Sequence, residues 1–295
     1  MKYERGFPGL SQMLARAKLI SSFNSPNSME QAIFSSYLPA LRPPAIFGSV
    51  RVDNVTQSET LDLIESFIRS GEHHRMVVVN ASKLVLAEQD LKLREILVTS
   101  DIITADGMSV VWASRCSRNF GAGLVERVTG IDTMIELSQR AAQKGYRIFL
   151  LGAAPGVAQA AAQQLQTDFP GVHIVGCQDG YFPDSESVHI ASMIRASRSD
   201  ILFVAMGSPK QEHWLATYGA QTGAAFCIGV GGSFDHIAGR VQRAPRWMQK
   251  AGLEWLFRFA QEPRRLWRRY LIGNAEFVSF LIRLIRASRS TSSRM

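Results

Sequence analysis

No stretch of this chain is apolar for long enough to cross a bilayer. A spanning helix needs about 20 such residues, and polar or charged positions interrupt every run short of that. Cysteine is scarce: Cys116, Cys177 and Cys227 stand far apart. That spacing excludes a C-x-x-C metal or redox motif and leaves no disulfide framework, as expected for a reducing compartment. The histidines include no H-E-x-x-H or other ligand spacing, so no zinc site is expected. Asp-x-Asp is absent, and with it the usual carboxylate pair for a metal-bound nucleotide diphosphate. The missing G-x-S-x-G removes the serine-hydrolase elbow. The missing G-x-G-x-x-G removes the dinucleotide fingerprint of a Rossmann-like oxidoreductase, a competing reading of this chain. Lys2, Arg5, Arg16 and Lys18 are not followed by an unbroken apolar core, so no secretory signal peptide is expected.

What is there is an ordinary globular composition with an uneven charge. Of 295 residues, 46% are apolar, enough for a full core. From Arg240 onward, thirteen basic residues face three acidic ones, a local net charge of +10. Because the whole chain carries +8, the first 239 residues sum to −2. A basic tail on a near-neutral body calls for an anionic partner such as a membrane surface, a nucleic acid or phosphate groups.

Residues 1–45 mix Ser, Pro and isolated apolar residues. SSFNSPNS and PALRPPA read as weakly ordered loop. From residue 46 to 241 strand-like runs alternate with helical ones. VRVDNV, MVVVN, IITAD, YRIFLLG, ILFVAMG and AAFCIGVGG each lead into a helical segment, and HIVGC is followed by a helix near Glu186–Ser197. Continuous apolar strands followed by helices predict an α/β, Rossmann-like, mostly parallel sheet with helices on both faces. Ligands in such sheets sit at the carboxyl ends of the strands. Five predicted strand ends carry glycine or polar residues: Asn80, Asp106 with Gly107, Gly152, Gly207 to Glu212, and Gly229 to Asp235.

Each of these has a plainer reading. Asp106 could act as a general base or cap the next helix. Gly207, Pro209, Lys210 and Gln211 could place a helix N-terminus on a phosphate or form a solvated first turn. The glycine turns at 152–156 and 229–232 are ordinary strand-to-helix connections unless the set is taken together. Residues 242–295 differ in kind, being helix-like, aromatic and arginine-rich, and they predict a basic amphipathic C-terminal appendage. Phe277, Phe280, Leu281, Leu284 and Ile285 lie at helical spacing beside arginines. That stripe, with Trp247, Trp255 and Trp267, suits an interfacial helix on an anionic membrane better than a nucleic-acid site. A non-catalytic membrane-surface module with a degenerate pocket is the alternative to an enzyme.

VVVNASKLV, ITADGMSVV, ERVTGID, FLLGAAPGVA, IVGCQDGYF, FVAMGSPKQEHW, GVGGSFDHIAGRVQRAPRWMQKAGLEWLFRF and EPRRLWRRYL follow one another in this order. The series resembles the bacterial WecG/TagA/CpsF glycosyltransferase family from about Phe47 to Phe277. The resemblance implies an inverting, metal-independent enzyme without a cofactor. It would move a sugar (N-acetylmannosamine, glucose or a related hexose) from a UDP-sugar donor to a polyprenyl-diphosphate-linked saccharide acceptor. The setting it implies is cell-surface or exopolysaccharide biosynthesis, peripherally on the cytoplasmic face of the membrane, with homo-oligomers in some members. By the same resemblance Asp106 matches the catalytic base. The implied pocket comprises Asn80, Gly107, Gly152, Gly207, Pro209, Gln211, Glu212, Gly231, Gly232 and Asp235. Arg243, Arg246, Arg264 and Arg265 match basic positions that could meet diphosphates.

Overall fold

The computed structural model describes residues 42–121, 123–245, 247–248, 252–261 and 273–292. Arg246, Arg264 and Arg265 lie outside the described residues. The chain opens with an antiparallel hairpin of β1 (Arg42–Phe47) and β2 (Val50–Asn54). The strand β1 includes Pro43 and Pro44, part of a segment expected to be loop. Proline is tolerated there because this is an edge strand, and the pairing register shifts between Arg42 and Ala45 where the two N–H groups are missing. VRVDNV is β2, and it pairs in the hairpin instead of joining the parallel sheet. Its Asp53 carboxylate accepts the Ile103 N–H at 2.8 Å, occupying a donor that an edge strand would leave open.

Six parallel strands form the main sheet in the order β4-β3-β8-β7-β5-β6. They are β3 (His74–Val79), β4 (Ile102–Ala105), β5 (Arg147–Gly152), β6 (His173–Gln178), β7 (Ile201–Ala205) and β8 (Phe226–Gly229). The inner strand β7, ILFVA, is buried at every position, as a strand covered on both faces must be. On one face lie α1 (Gln57–Ser70), α5 (Gly130–Lys144), α6 (Val157–Asp168) and the short α9 (Ser233–Ile237). There Ile64, Leu137, Leu165 and Phe234 pack with Met76, Leu150, Phe203 and Ile228 of the sheet.

The opposite face is covered in two parts. The helices α2 (Ala81–Gln89), α3 (Leu91–Thr99) and α4 (Met108–Cys116) join the hairpin over β3 and β4. The helices α7 (Ser187–Ser197) and α8 (Lys210–Tyr218) cover β5, β7 and β8. Each large apolar side chain so buried contributes about 1.5–3 kcal/mol. Helix ends follow their local chemistry: α1 starts with a capping box of Thr56 and Glu59 and stops at Gly71 in the left-handed region.

Beyond the sheet lie α10 (Glu254–Gln261) and α11 (Gly273–Ser292). The apolar stripe of α11 does not face outward. Phe277 and Phe280 are buried against Leu84, Phe47 and Phe120, and Leu281, Leu284 and Ile285 pack on the same cluster. The Phe47 ring stacks on Phe120 with centroids 5.0 Å apart and sits 6.5 Å from Phe277. The expectation that these residues supply a membrane-facing stripe is therefore corrected: the body lacks a cover over α2 and the hairpin turn, and α11 provides it. The chain leaves β3 toward α2 on one face and leaves the neighbouring β8 toward α9 on the other. In an open α/β sheet such a divergence is where a ligand crevice is expected, at the carboxyl edge.

Candidate functional site

All five predicted strand ends reach this carboxyl edge. Asn80 follows β3 and caps α2, its side-chain oxygen accepting the Lys83 N–H at 3.0 Å. Asp106 follows β4, and its N–H continues the ladder to the Val79 carbonyl at 2.8 Å. Gly107, the cap residue of α4, has no side chain to bond there. It packs on Asn80: a Cβ at Gly107 would stand 3.5 Å from that of Asn80. Asp106 is thus not the helix cap, and its half-buried carboxylate has no hydrogen bond or ion pair among the described residues.

The GSPKQE segment runs from β7 into α8. Gly207 takes φ +77°, and Pro209 is the cap residue of α8. Gln211 and Glu212 are both 2% exposed. The Gln211 Oε1 accepts the Gly231 N–H at 3.1 Å, and its Nε2 donates to Glu212 Oε1 at 2.9 Å. It occupies space next to β8 that only glycine at 229 leaves open, since a Cβ there would fall 2.4 Å from Gln211 Nε2. Gln211 thus lies under the crevice floor with both amide ends engaged by protein. Glu212 Oε1 also accepts from Lys83 Nζ at 2.7 Å, and the same ammonium donates to the Val78 carbonyl at 2.7 Å. Burial pushes the Glu212 carboxyl up, but the Lys83 charge and the hydrogen bonds from Lys83 and Gln211 outweigh it and hold the pKa below the ordinary value. Lys83 was not singled out from the sequence. The available signal was a lysine in the first turn of a helix between Ala81 and Leu84, where apolar residues face the sheet.

Gly231, with φ +55°, and Gly232, the cap residue of α9, form the turn after β8. The Asp235 carbonyl, within α9, accepts the Arg240 and Val241 N–H groups where that short helix ends. Gly152 closes β5 with φ +127°, and a Cβ there would lie 2.5 Å from the Ala205 backbone. This glycine is required by strand packing. Beside it, Gly180 leads to Tyr181, which is 77% exposed.

A charged cluster lies beyond β4. The Val128 N–H bonds the Ala105 carbonyl, which sets Arg127 beside the strand end that carries Asp106. Gly130 starts α5 close to Val78 and Val230. Arg243 grips Asp132 at 2.7 and 2.9 Å and lies 3.6 Å from Glu254, which Arg127 contacts at 3.1 Å. Burial raises the Asp132 carboxyl, and hydrogen bonds from Arg243 and Thr129 with the Arg243 and Arg127 charges bring it below its ordinary value. The two guanidiniums are fork donors suited to phosphate, and both are engaged by carboxylates. Arg127 lies in the ERVTGID motif but had not been assigned a role. Gly252 packs on Met108 and Trp112 of α4, a Cβ there standing 2.9 Å from Met108 Cγ. The start of α10 is thereby joined to the region that follows Asp106.

Among the described residues no group of three or more His, Cys, Asp or Glu is placed to hold a metal ion. What the crevice offers is an unengaged carboxylate, a polar amide, glycine turns for close backbone approach, and arginines at the margin. The family model for the glycosyl transferase WecG/TagA/CpsF family matches residues 45–291. The match takes in the whole parallel sheet, the crevice and the helix that completes the core over α2, so this chain belongs to the WecG/TagA/CpsF family of glycosyl transferases, enzymes of cell-surface polysaccharide biosynthesis.

Proposed function

We propose that this chain moves one hexose from a UDP-sugar to a hydroxyl of a saccharide carried on polyprenyl diphosphate, with inversion and without a metal. The observation that carries this reading is Asp106: a carboxylate at a strand end in the crevice, beside Asn80, with no bond to another side chain among the described residues. A base must be free to accept a proton and positioned to receive it. Asp106 takes the proton of the acceptor hydroxyl as that oxygen attacks the anomeric carbon. The bond from that carbon to the diphosphate oxygen breaks, and UDP leaves with the electron pair. The charge that develops on UDP falls to Arg127 and Arg243, with Arg246, Arg264 and Arg265 as further candidates. Guanidiniums stabilise such charge by paired hydrogen bonds. Asn80 and the turns at Gly207 and Gly231 shape the donor side, and Tyr181 offers an exposed ring against which a base could stack.

The membrane reading moves with the structure. Trp112 of α4, Trp247, and Trp255 and Leu256 of α10 are exposed. Together with the basic excess they fit a peripheral contact on an anionic membrane.

The test measures UDP release from a panel of UDP-sugars in EDTA, with and without a lipid-diphosphate-linked mono- or disaccharide. Release from one donor that depends on the acceptor is expected. Asp106→Asn should lower kcat by about 10²- to 10⁴-fold with unchanged thermal stability. An Asp106→Asn enzyme of near wild-type rate would remove the base assignment. A folded wild type silent with every donor and acceptor would remove the transfer itself.

A further inference from the structure

Lys83 and Glu212 form an ion pair 5% and 2% exposed, joining α2 to α8 on one face of the sheet. Stability is a poor account of such a pair. Two charges taken out of water cost much of what their attraction returns, and an apolar pair of similar size is often as stable or more so. The hydrogen bonds around it suggest another use. A glutamine amide has two ends of nearly the same shape, one donating and one accepting, and it can turn over in place. Gln211 must present its oxygen to the Gly231 N–H. Its nitrogen then faces Glu212 Oε1. An ionised carboxylate can only accept, so it tolerates only the NH₂ end. A protonated carboxyl, or an amide, could donate and allow the reverse. The amide would then put two donors face to face at Gly231 and release the turn after β8.

We infer that Lys83 is a positioning residue: by keeping Glu212 ionised it locks the orientation of the Gln211 amide and, through it, the Gly231 turn at the donor side of the crevice. The chain of contacts is continuous, from Val78 and Lys83 through Glu212 and Gln211 to Gly231, and links the ends of three neighbouring strands. Lys83 is the charge that bears on Glu212. The other titratable side chains of the helices packed here are turned elsewhere. Asp90 and His213 pair with each other at 3.2 Å, Glu88 faces Arg94 at 3.8 Å, and His189 and Arg195 of α7 make no bond to Glu212 among the described residues.

The experiment follows the Gly231 amide by NMR between pH 6 and 9 in the full chain. The wild type should show one hydrogen-bonded Gly231 signal, unchanged across the range. In Lys83→Met, burial without the ammonium raises the Glu212 carboxyl. The Gly231 signal should then be that of a broken bond at low pH and return toward wild type as Glu212 ionises at higher pH. Lys83→Arg keeps the charge and should keep the wild-type signal. Lys83→Met with Glu212→Leu removes the carboxyl that could donate to the amide, so this apolar pair should fold and its Gly231 signal should no longer change with pH. A Gly231 signal identical to wild type in Lys83→Met at all pH values, or a pH-dependent loss of that signal persisting in the double variant, would overturn the inference. Its kinetic side rests on the transferase reading. With an active donor known, Lys83→Met should lose about 10- to 100-fold in kcat/KM at pH 7, recovering at higher pH in step with the Gly231 signal. A wild type inactive with every donor would defeat that reading and leave the NMR result to decide the role of Lys83.

Discussion

At the scale of single residues, two groups with similar sequence signals have different work. Asp106 and Gly152 both end strands, and both belong to the set that marked the crevice. Asp106 is spared the capping role, because Gly107 takes the cap position of α4. Gly152 is held by the fold, because β5 and β7 converge where any side chain would strike the Ala205 backbone. Gly152→Ala should therefore cost about 1–3 kcal/mol from its left-handed backbone alone, with the clash added, read as a lower urea midpoint. If Gly152 served chiefly to let a ligand approach, the variant would keep its midpoint and show a raised KM for the donor. The strand ends were legible in the sequence because a buried strand is an unbroken apolar run, and its end is marked by the first small or polar residues. Lys83 was not legible in the same way. Its partner Glu212 lies 129 positions away, and no local period reports a contact across two helices.

Among the elements, helix pairing is set by apolar stripes and fixed in register by charges that the stripes leave at their margins. The clearest case joins α1 to α5. Glu65, on α1, accepts from Arg140 at 2.9 Å and from Lys144, and Arg140 also bonds Asp62 at 2.6 Å. Burial raises the Glu65 carboxyl, but the hydrogen bonds and charges of Lys144 and Arg140 lower it further, to below its ordinary value. A carboxyl with a depressed folded pKa contributes stability above its unfolded value of about 4.3, and that contribution is lost as the pH falls below it. Glu65→Gln should lose about 1–3 kcal/mol at pH 7, and the gap to wild type should narrow on acidification to pH 3.5. Denaturant midpoints at the two pH values measure this, and an equal gap at both would remove Glu65 from the account. The hairpin and α11 are where element-level reading of the sequence fell short. Two prolines disguised β1, and the stripe of α11 carries the same spacing whether it meets lipid or protein. What decided it was an apolar surface of α2, Phe47 and Phe120 that the rest of the body does not cover.

For the whole molecule, that placement of α11 changes how membrane binding must be tested. Removing the C-terminal segment would uncover Phe47, Leu84 and Phe120 along with any membrane contact, and a loss of binding would then report a damaged core. The surface to alter is the one that the core does not use: Trp112, Trp255 and Leu256, each between 42% and 47% exposed, at α4 and α10. The start of α10 packs on α4 through Gly252, so these residues belong to the side of the body that holds the crevice. A lipid-linked acceptor must reach that side from a bilayer. The basic residues after Arg240 add attraction of about 1 kcal/mol for each one near an anionic surface, screened over about 10 Å at 0.1 M salt. Flotation with vesicles containing phosphatidylglycerol should therefore carry the wild type upward at low salt and less of it at high salt. Replacing Trp112, Trp255 and Leu256 by serine should weaken flotation while the fold and the Gly231 amide signal stay as in wild type. Vesicles of neutral lipid should bind the wild type weakly. If the triple variant floats as well as wild type, the tail's charge acts without this apolar patch. If wild type fails to float on anionic vesicles at low salt, the acceptor must come to the crevice without help from this surface.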